Sequence, residues 1–512
     1  MEYPPQYGRK CAGESDDSGA HPLFERREIA LFIGYFAIYL FVYFPLCLRN
    51  GLHWDEMFDV AGAANGTYVA AGRWMLALYR YVLGLGYMPS VSGFVAGVYI
   101  AAALVLQVRL LGVVDTVGRL SYGALYIGCV QWATQLQYSH QSDAVAFALL
   151  LATVAVCLYR RGGEKNILVA SLLVVCSCAV YQTSMLYLVV LLFAVMLRGE
   201  ENDRLLSREL LRGMIFLFCS GCVYLVSRWV SVMLPVLTEQ DVSYTNAVQL
   251  NMSKWPEIAG APTLEEKCSL WGMYTVCYIK VILKNLLGMK YEGQWVYATS
   301  IVPVSCLLWR WGVKERSLLR VMLLIGVWVV PFAMALVVMT DQGARTSLAE
   351  PLACACIWML WGSQGWFRGK LQWVLIVFAG VVVLKGAYRV AVIAEDESNE
   401  YASKMNNLVQ LNARLVSAAE NAKLVTPQFV YFGEVSVSAH NGYERRWEKR
   451  YDDKVLMRLP DGRFPEELTV QLRRATAEEQ QKLGQFVEGM PVWPAPGAVS
   501  VCGETVVVKF EG

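Results

Sequence analysis

Long stretches with almost no charge recur through the first four fifths of the chain, and nothing constrains its fold more. A helix needs about 20 consecutive apolar residues to cross the hydrocarbon core of a bilayer. By that ruler spans are expected at 29–48, 91–112, 120–137, 143–159, 166–181, 183–197, 213–235, 295–309, 318–339, 347–363 and 371–394. The segments at 166–181 and 183–197 are short, and are read as tilted or as joined by a tight turn. Composition agrees with this reading. Of 512 residues, 56% are hydrophobic and 17% charged, where a soluble domain has about 45–50% and roughly 25%. The mean hydropathy is +0.39. A polytopic membrane protein is the expectation.

Several function classes fall away at this point. The net charge is +2 and no basic run interleaves with aromatics, so nucleic acid is not an expected partner. The 14 cysteines lie mostly inside apolar runs, among them Cys157, Cys176, Cys178, Cys219, Cys222, Cys354 and Cys356, where a free thiol behaves as a small hydrophobe. With only four histidines, and no CxxC pair beside them, no zinc site is expected. The polar N-terminus carries both acids and bases with no small-residue cleavage site after a short apolar region. The first apolar run is therefore expected to stay as an anchor.

Lys and Arg collect in cytoplasmic loops, and here they alternate. Arg9, Lys10, Arg26 and Arg27 precede the first span, and alternate loops carry Arg109 and Arg119, then Arg160, Arg161 and Lys165, then Arg198, Arg204, Arg208 and Arg212, then Arg310, Lys314, Arg316 and Arg320, then Arg368 and Lys370. The intervening loops "QYSHQSD" and "YQTS" have none, and "TDQGARTS" has Arg345 alone. The alternation holds through eleven spans with the N-terminus cytoplasmic and the C-terminus outside. It holds only if 268–288 does not cross; Lys280 and Lys284, four apart, fit a helix lying in the interface.

The expected class is mostly α: a polytopic membrane helix bundle with a small C-terminal α/β extracytoplasmic domain. Residues 1–28 form a cytoplasmic tail, 29–394 the bundle with an outer loop at 49–90, and 395–512 the outer α/β domain. In the last part, 394–423 reads as an amphipathic helix and "FVYFGEVSV" alternates like a strand. "PEELTVQLRRATAEEQQKLGQFV" mixes strand and helix signals, and "VSVCGETVVVKF" reads as a hairpin around Cys502-Gly503-Glu504.

This topology gathers unusual polar residues on the outer side. Asp55, Glu56 and Asp59 follow the first span, and Arg73 and Trp74 open the segment after them. His140 and Asp143 lie between the third and fourth spans, Tyr181 and Gln182 between the fifth and sixth, and Asp341, Arg345 and Glu350 between the ninth and tenth. Such a set suits a sugar donor carried on a polyprenyl phosphate, whose tail stays in the bilayer while the scissile bond sits at the interface. A carboxylate there can take the proton of an acceptor hydroxyl, and an arginine can hold the departing phosphate by paired hydrogen bonds. Each group has a structural reading too. Asp55 and Glu56 can be solvated interfacial acids, Trp74 a headgroup-belt aromatic, and His140 a structural hydrogen-bonding group; Tyr181 and Gln182 can serve the backbone of a turn. Arg345, between long apolar runs, calls for a partner, either Asp341 or a bound phosphate.

The order "HWDE", "GRW", "YQ" and "GARTSLAEP", closed by "AEDESNEYASKM" and "FVYFGE", resembles the Gtr type II glucosyltransferases that decorate bacterial O-antigen, over about residues 29–435. The resemblance implies an architecture similar to the GT-C glycosyltransferases in the bacterial inner membrane. It implies transfer of glucose, with inversion, from undecaprenyl-phosphate glucose to a lipid-linked glycan of lipopolysaccharide on the periplasmic face. Asp55 or Glu56 would be the catalytic base, Arg73 and Arg345 would bind the donor phosphate, and Tyr181 and Gln182 would accompany them. Where two aspartates are common this chain has Asp-Glu, which leaves the choice between Asp55 and Glu56 open. A separate donor synthase and flippase are required, because nothing in the chain looks like a nucleotide-binding domain. No cofactor is expected; a divalent ion on Asp55 and Glu56 stays open, although the carboxylate pair alone is an incomplete ligand set, and chelator-insensitive turnover would rule it out. The rival readings are a transporter or flippase for a lipid-linked sugar, and an O-antigen ligase or polymerase. The first lacks visible repeats, and the second usually places its key residues in one large late loop, which here (237–294) has no arginine.

Overall fold

The computed structural model describes residues 26–48, 68–69, 71–83, 89–113, 115–199, 202–237, 254–290, 294–337, 339, 346–363, 371–433, 470, 472–493 and 495–510. The chain divides into two compact units: the described residues from 26 to 391 form a helical one and those from 392 onward a smaller one.

In the helical unit the first span shows how a nearly uniform apolar sequence acquires an inside and an outside. Helix α1 (Arg26–Cys47) buries Tyr35, Tyr39 and Tyr43, spaced four apart on one face, and exposes Ile33, Phe41 and Phe44 on the other. Each buried hydroxyl finds a backbone carbonyl: Tyr35 donates to Arg119 (2.6 Å), Tyr39 to Gly93 (2.8 Å), and Tyr43 lies 2.7 and 2.8 Å from the carbonyls of Ile127 and Cys129. The last pair explains a departure from the expected spans. The run at 120–137 is two short helices, α4 (Thr116–Ile127) and α5 (Gln131–Leu136), and Tyr43 serves carbonyls at the break between them. Non-helical backbone inside a bundle is tolerated where such partners exist.

Helix α2 (Trp74–Leu83) is short. Helix α3 (Pro89–Leu110) and α6 (Ser139–Arg161) run side by side in the same direction, Ser92 meeting Asp143 at one end and Gln107 meeting Thr153 towards the other. Helices α7 (Glu164–Val180) and α8 (Ser184–Gly199) fill the two short runs and are joined by a tight turn at Tyr181, Gln182 and Thr183, whose first residue is extended (φ −150°, ψ 114°). Ser177 ties the turn down, donating to the Ala148 carbonyl at 2.7 Å with its hydroxyl 2.9 Å from that of Ser184. Helix α9 (Asp203–Leu237) follows, then α10 (Trp255–Gly260) and α11 (Leu264–Leu286). The last is amphipathic as expected. It buries Tyr278 and Ile282, and exposes Trp271, Met273, Lys280 and Lys284.

The runs at 295–309 and 318–339 are broken as well. They contain α12 (Trp295–Ala298), α13 (Ile301–Leu308), a π turn at Trp309–Lys314, α14 (Leu318–Val329), a 3-10 turn at Val330–Phe332 and α15 (Met334–Val337). Pro331, with no N–H to give, stands at the second interruption. Helix α16 (Ala349–Trp361) is almost wholly buried, and α17 (Leu371–Asn421) is 51 residues long.

Among the described residues five helices are long and apolar enough to cross a membrane: Arg26–Cys47, Ser90–Leu110, Gln141–Arg161, Asp203–Ser231 and Trp373–Asn399. Three more, Ser184–Gly199, Leu318–Phe332 and Ala349–Trp361, are apolar and shorter. Large apolar side chains such as Phe218, Val226, Trp229, Trp373 and Val377 point out of the unit. This is a membrane-embedded helical protein.

Charge collects at its ends. At one end Arg109 pairs with Glu28 (3.6 Å), Arg160 with Glu209 (3.4 Å), and Arg119 and Arg198 donate to the carbonyls of Val113 and Leu111. These are the positions that the loop-charge argument puts in the cytoplasm. At the other end, where α3, α6 and α8 begin, lie Arg73, Arg80, Asp143, Tyr181 and Gln182.

The second unit is a mixed four-stranded sheet in the order β2-β1-β4-β3, formed by β1 (Gln428–Phe432), β2 (Leu472–Arg474), β3 (Val499–Cys502) and β4 (Thr505–Lys509). β1 is parallel to both neighbours, while β3 and β4 form a hairpin whose two-residue loop opens with Gly503 at φ 64°, the left-handed value such loops favour at that position. Leu408, Leu411, Leu415 and Ala419 from α17 pack with Tyr431, Val506 and Val508 on one face. Val487 of α18 (Ala477–Glu488) and Met490 pack with Val507 on the other. Helices cover both faces, so the residues of β4 are buried without a break at Val506, Val507 and Val508.

Candidate functional site

The "GRW" stretch docks where three other segments converge. Gly72 turns the chain at φ 76°, a left-handed value that glycine adopts without strain. Its N–H donates to the Val69 carbonyl at 2.9 Å and that of Arg73 to the Tyr68 carbonyl at 2.8 Å, after which α2 begins. The Arg73 side chain then reaches the α7–α8 turn. Its Nε donates to Gln182 Oε1 at 3.2 Å, and one terminal nitrogen lies 3.5 Å from Gln141 Oε1 at the start of α6. The guanidinium carbon stands 5.0 Å from the centre of the Tyr181 ring. Gln182 is oriented in turn by donating to the Ala71 carbonyl at 3.1 Å.

Trp74 fixes the fourth wall. Its indole N–H donates to Ser227 Oγ on α9 at 3.4 Å, and Ser227 donates to the Tyr224 carbonyl at 2.8 Å. Arg228, the next residue, lays its side chain over Gly72: a β-carbon there would lie 2.6 Å from Arg228 Cγ. The Tyr224 ring is buried. Its hydroxyl stands beside Gln182, within electrostatic reach of both Arg228 and Arg73, and has no hydrogen-bond partner among the described residues.

Asp143 lies close by in chain terms but is fully engaged. It is completely buried and accepts from both terminal nitrogens of Arg80, one at 3.1 Å, from the Tyr79 hydroxyl at 3.1 Å and from the Ser92 hydroxyl at 2.8 Å. Its charge is spent on anchoring α2 to α3 and α6. Arg73 is the converse case. Among the described residues its partners are two amide oxygens and an aromatic face, all neutral. A guanidinium positioned in this way can meet an anion by charge-assisted hydrogen bonds.

Glu350 forms a separate buried node. Gln131 donates to one of its oxygens at 2.6 Å and Gln294 to the other at 3.1 Å, with Gln294 also bound to Asn285 at 2.9 Å. The node ties α16 to α5 and α11 at positions that the sequence shows only as isolated polar residues.

The structure thus brings together Arg73, Trp74, Tyr181 and Gln182, and it places Asp143 in an ion pair. His140 stands on the first turn of α6; its side chain lies outside the described residues, as do Asp55, Glu56, Asp59, Asp341 and Arg345. Arg80, Tyr224, Ser227 and Arg228 were not foreseen. The available signal was an arginine inside an apolar run: such a charge costs about 2.5–3.5 kcal/mol at the bilayer centre on insertion scales and so implies a task.

Fold and site together define a membrane-embedded helical protein with a pre-positioned cationic group at one end of its bundle. The family model for glucosyl transferase GtrII matches residues 44–361, and the chain belongs to that family of glycosyltransferases. No curated protein and no solved structure matches it.

Proposed function

We propose that the protein transfers glucose from a polyprenyl-phosphate donor to a lipid-linked surface glycan, such as O-antigen, on the periplasmic face of a bacterial inner membrane. The observation that carries this is Arg73, a guanidinium fixed by Gln182, Gln141 and Tyr181 with no acidic partner among the described residues. Membership of a glucosyl transferase family supplies the sugar class. An apolar helical bundle is where a polyprenyl tail can stay while its phosphate meets Arg73.

In this reading the acceptor hydroxyl attacks the anomeric carbon, with Asp55 or Glu56 taking its proton. Arg73 and Arg345 hold the phosphate as it leaves, and a single displacement inverts the anomeric centre. The reaction needs no cofactor. Eleven spans, a cytoplasmic N-terminus and a periplasmic C-terminus complete the proposal, with a separate synthase and flippase delivering the donor to the outer leaflet.

The test uses protein in lipid nanodiscs with polyprenyl-phosphate-[14C]glucose and a lipid-linked glycan extract. Label should enter the glycan with the native chain and be lost in one of Asp55→Asn and Glu56→Gln while folding holds. Undiminished transfer in both variants would refute the assignment of the base, and no transfer by the native chain would refute the donor.

A further inference from the structure

Arg228 belongs to the same cradle as Arg73, and its surroundings have the marks of a binding site. It sits in α9 within the apolar stretch Asp203–Ser231. It lies over Gly72, so that the two consecutive residues Ser227 and Arg228 face the consecutive residues Trp74, Arg73 and Gly72 across the helix contact. One turn earlier on α9 is Tyr224, 8% exposed, whose hydroxyl stands beside Gln182 near both arginines and meets no hydrogen-bond geometry with any described residue. A buried hydroxyl is costly to leave unsatisfied, and beside two arginines its natural complement is an anion. We propose that Arg228 and Tyr224, with Arg73, form a two-arginine cradle for a phosphate monoester, the polyprenyl monophosphate released by transfer.

The charge change in the reaction gives the second arginine its purpose. This inference rests on the donor proposed above. As the acceptor oxygen bonds to the anomeric carbon, the bond from that carbon to the phosphate oxygen breaks. Its electron pair stays on the phosphate, and the acceptor's proton passes to a carboxylate. The donor phosphodiester carries one negative charge and the departing monoester two. A guanidinium added beside those already on the phosphate gains more from the dianionic, product-like group than from the monoanionic donor. Binding that grows along the reaction coordinate accelerates the step, whereas uniform binding does not.

The experiment measures binding of radiolabelled polyprenyl monophosphate, and of its methyl phosphodiester, to the full chain in phosphatidylcholine nanodiscs, with glucosyl transfer assayed in parallel. Arg228→Ala should weaken monoester binding by about tenfold to a hundredfold, the range for one charge-assisted contact, and weaken diester binding less. Arg228→Lys should fall between, and Tyr224→Phe should follow the same monoester-over-diester pattern. Inorganic phosphate should displace the lipid poorly, and phosphatidylglycerol should not displace it. Equal losses for monoester and diester, or undiminished monoester binding in Arg228→Lys and Tyr224→Phe, would overturn the inference while leaving native transfer, and the functional reading, intact. Displacement by phosphatidylglycerol as effective as by unlabelled polyprenyl monophosphate would reassign the cradle to bulk lipid. Native protein that neither binds the monoester nor transfers glucose would remove the functional reading itself.

Discussion

Arg73 and Arg80 lie seven residues apart in sequence and have opposite fates. Arg80 is neutralised by a buried aspartate; Arg73 is held by neutral groups. Substitution should separate them cleanly. Arg73→Ala is expected to lower kcat/KM by about 10²–10³, the usual loss of one transition-state contact, with little change in unfolding. Arg80→Ala leaves Asp143 charged and buried, and should destabilise the fold by about 3–5 kcal/mol; Arg80→Ala with Asp143→Ala together should cost less than Arg80→Ala alone. Denaturation of the detergent-solubilised protein and steady-state kinetics on the same samples check both. Arg73 and Gln182 were legible because they stand at the ends of apolar runs, where a polar residue is conspicuous. Arg80 was hidden in an aromatic segment that reads as a headgroup belt. Arg228 was hidden by averaging, since one arginine barely lowers the hydropathy of a run as long as 213–235.

At the scale of elements, the second unit offers the simplest test. Thr476 and Glu479 close a capping box on α18, and Glu479 also accepts from both terminal nitrogens of Arg473. The Arg473 guanidinium draws its carboxyl down from 4.5 to about 2. A depressed carboxyl contributes stability above its ordinary range and loses it as pH falls through the folded value, so protection of α18 should weaken between about pH 4.5 and 2. Because Arg473 is nearly half exposed, the loss should stay under about 1 kcal/mol. Hydrogen exchange of residues 477–488, corrected for intrinsic rates, measures it; Thr476→Ala should remove about 1 kcal/mol more at all pH values. These elements were readable in advance: the amphipathic helix, the alternating strand and the Cys-Gly-Glu hairpin all appear where pattern and turn chemistry put them. The breaks at 128–130 and 330–332 were not. Hydropathy is continuous across them, and in the first case the group that makes the break tolerable, Tyr43, lies on another helix.

Over the whole molecule the arrangement of charge is the most testable property. Basic residues tie down one end of the bundle, and the Arg73 cradle occupies the other. If eleven spans cross with the N-terminus inside, a phosphatase reporter fused after Gly199 or Arg316 should be inactive in the periplasmic assay, and one fused after Asn421 should be active. An active fusion after Gly199 would reverse the proposed orientation.

The contact between Gly72 and Arg228 carries a further consequence, for inheritance rather than catalysis. Alanine at position 72 meets the Arg228 side chain and a left-handed backbone at once. Once the arginine is gone only the backbone penalty remains. The damage done by Gly72→Ala should therefore be smaller in an Arg228→Ala background than in the native chain, a non-additivity expected of residues in contact. A lineage carrying this arginine is confined to glycine in the turn, whereas one that has lost it is freer to vary there. Two sites far apart in the chain then drift as one, and the history of the turn is written in a helix it only touches.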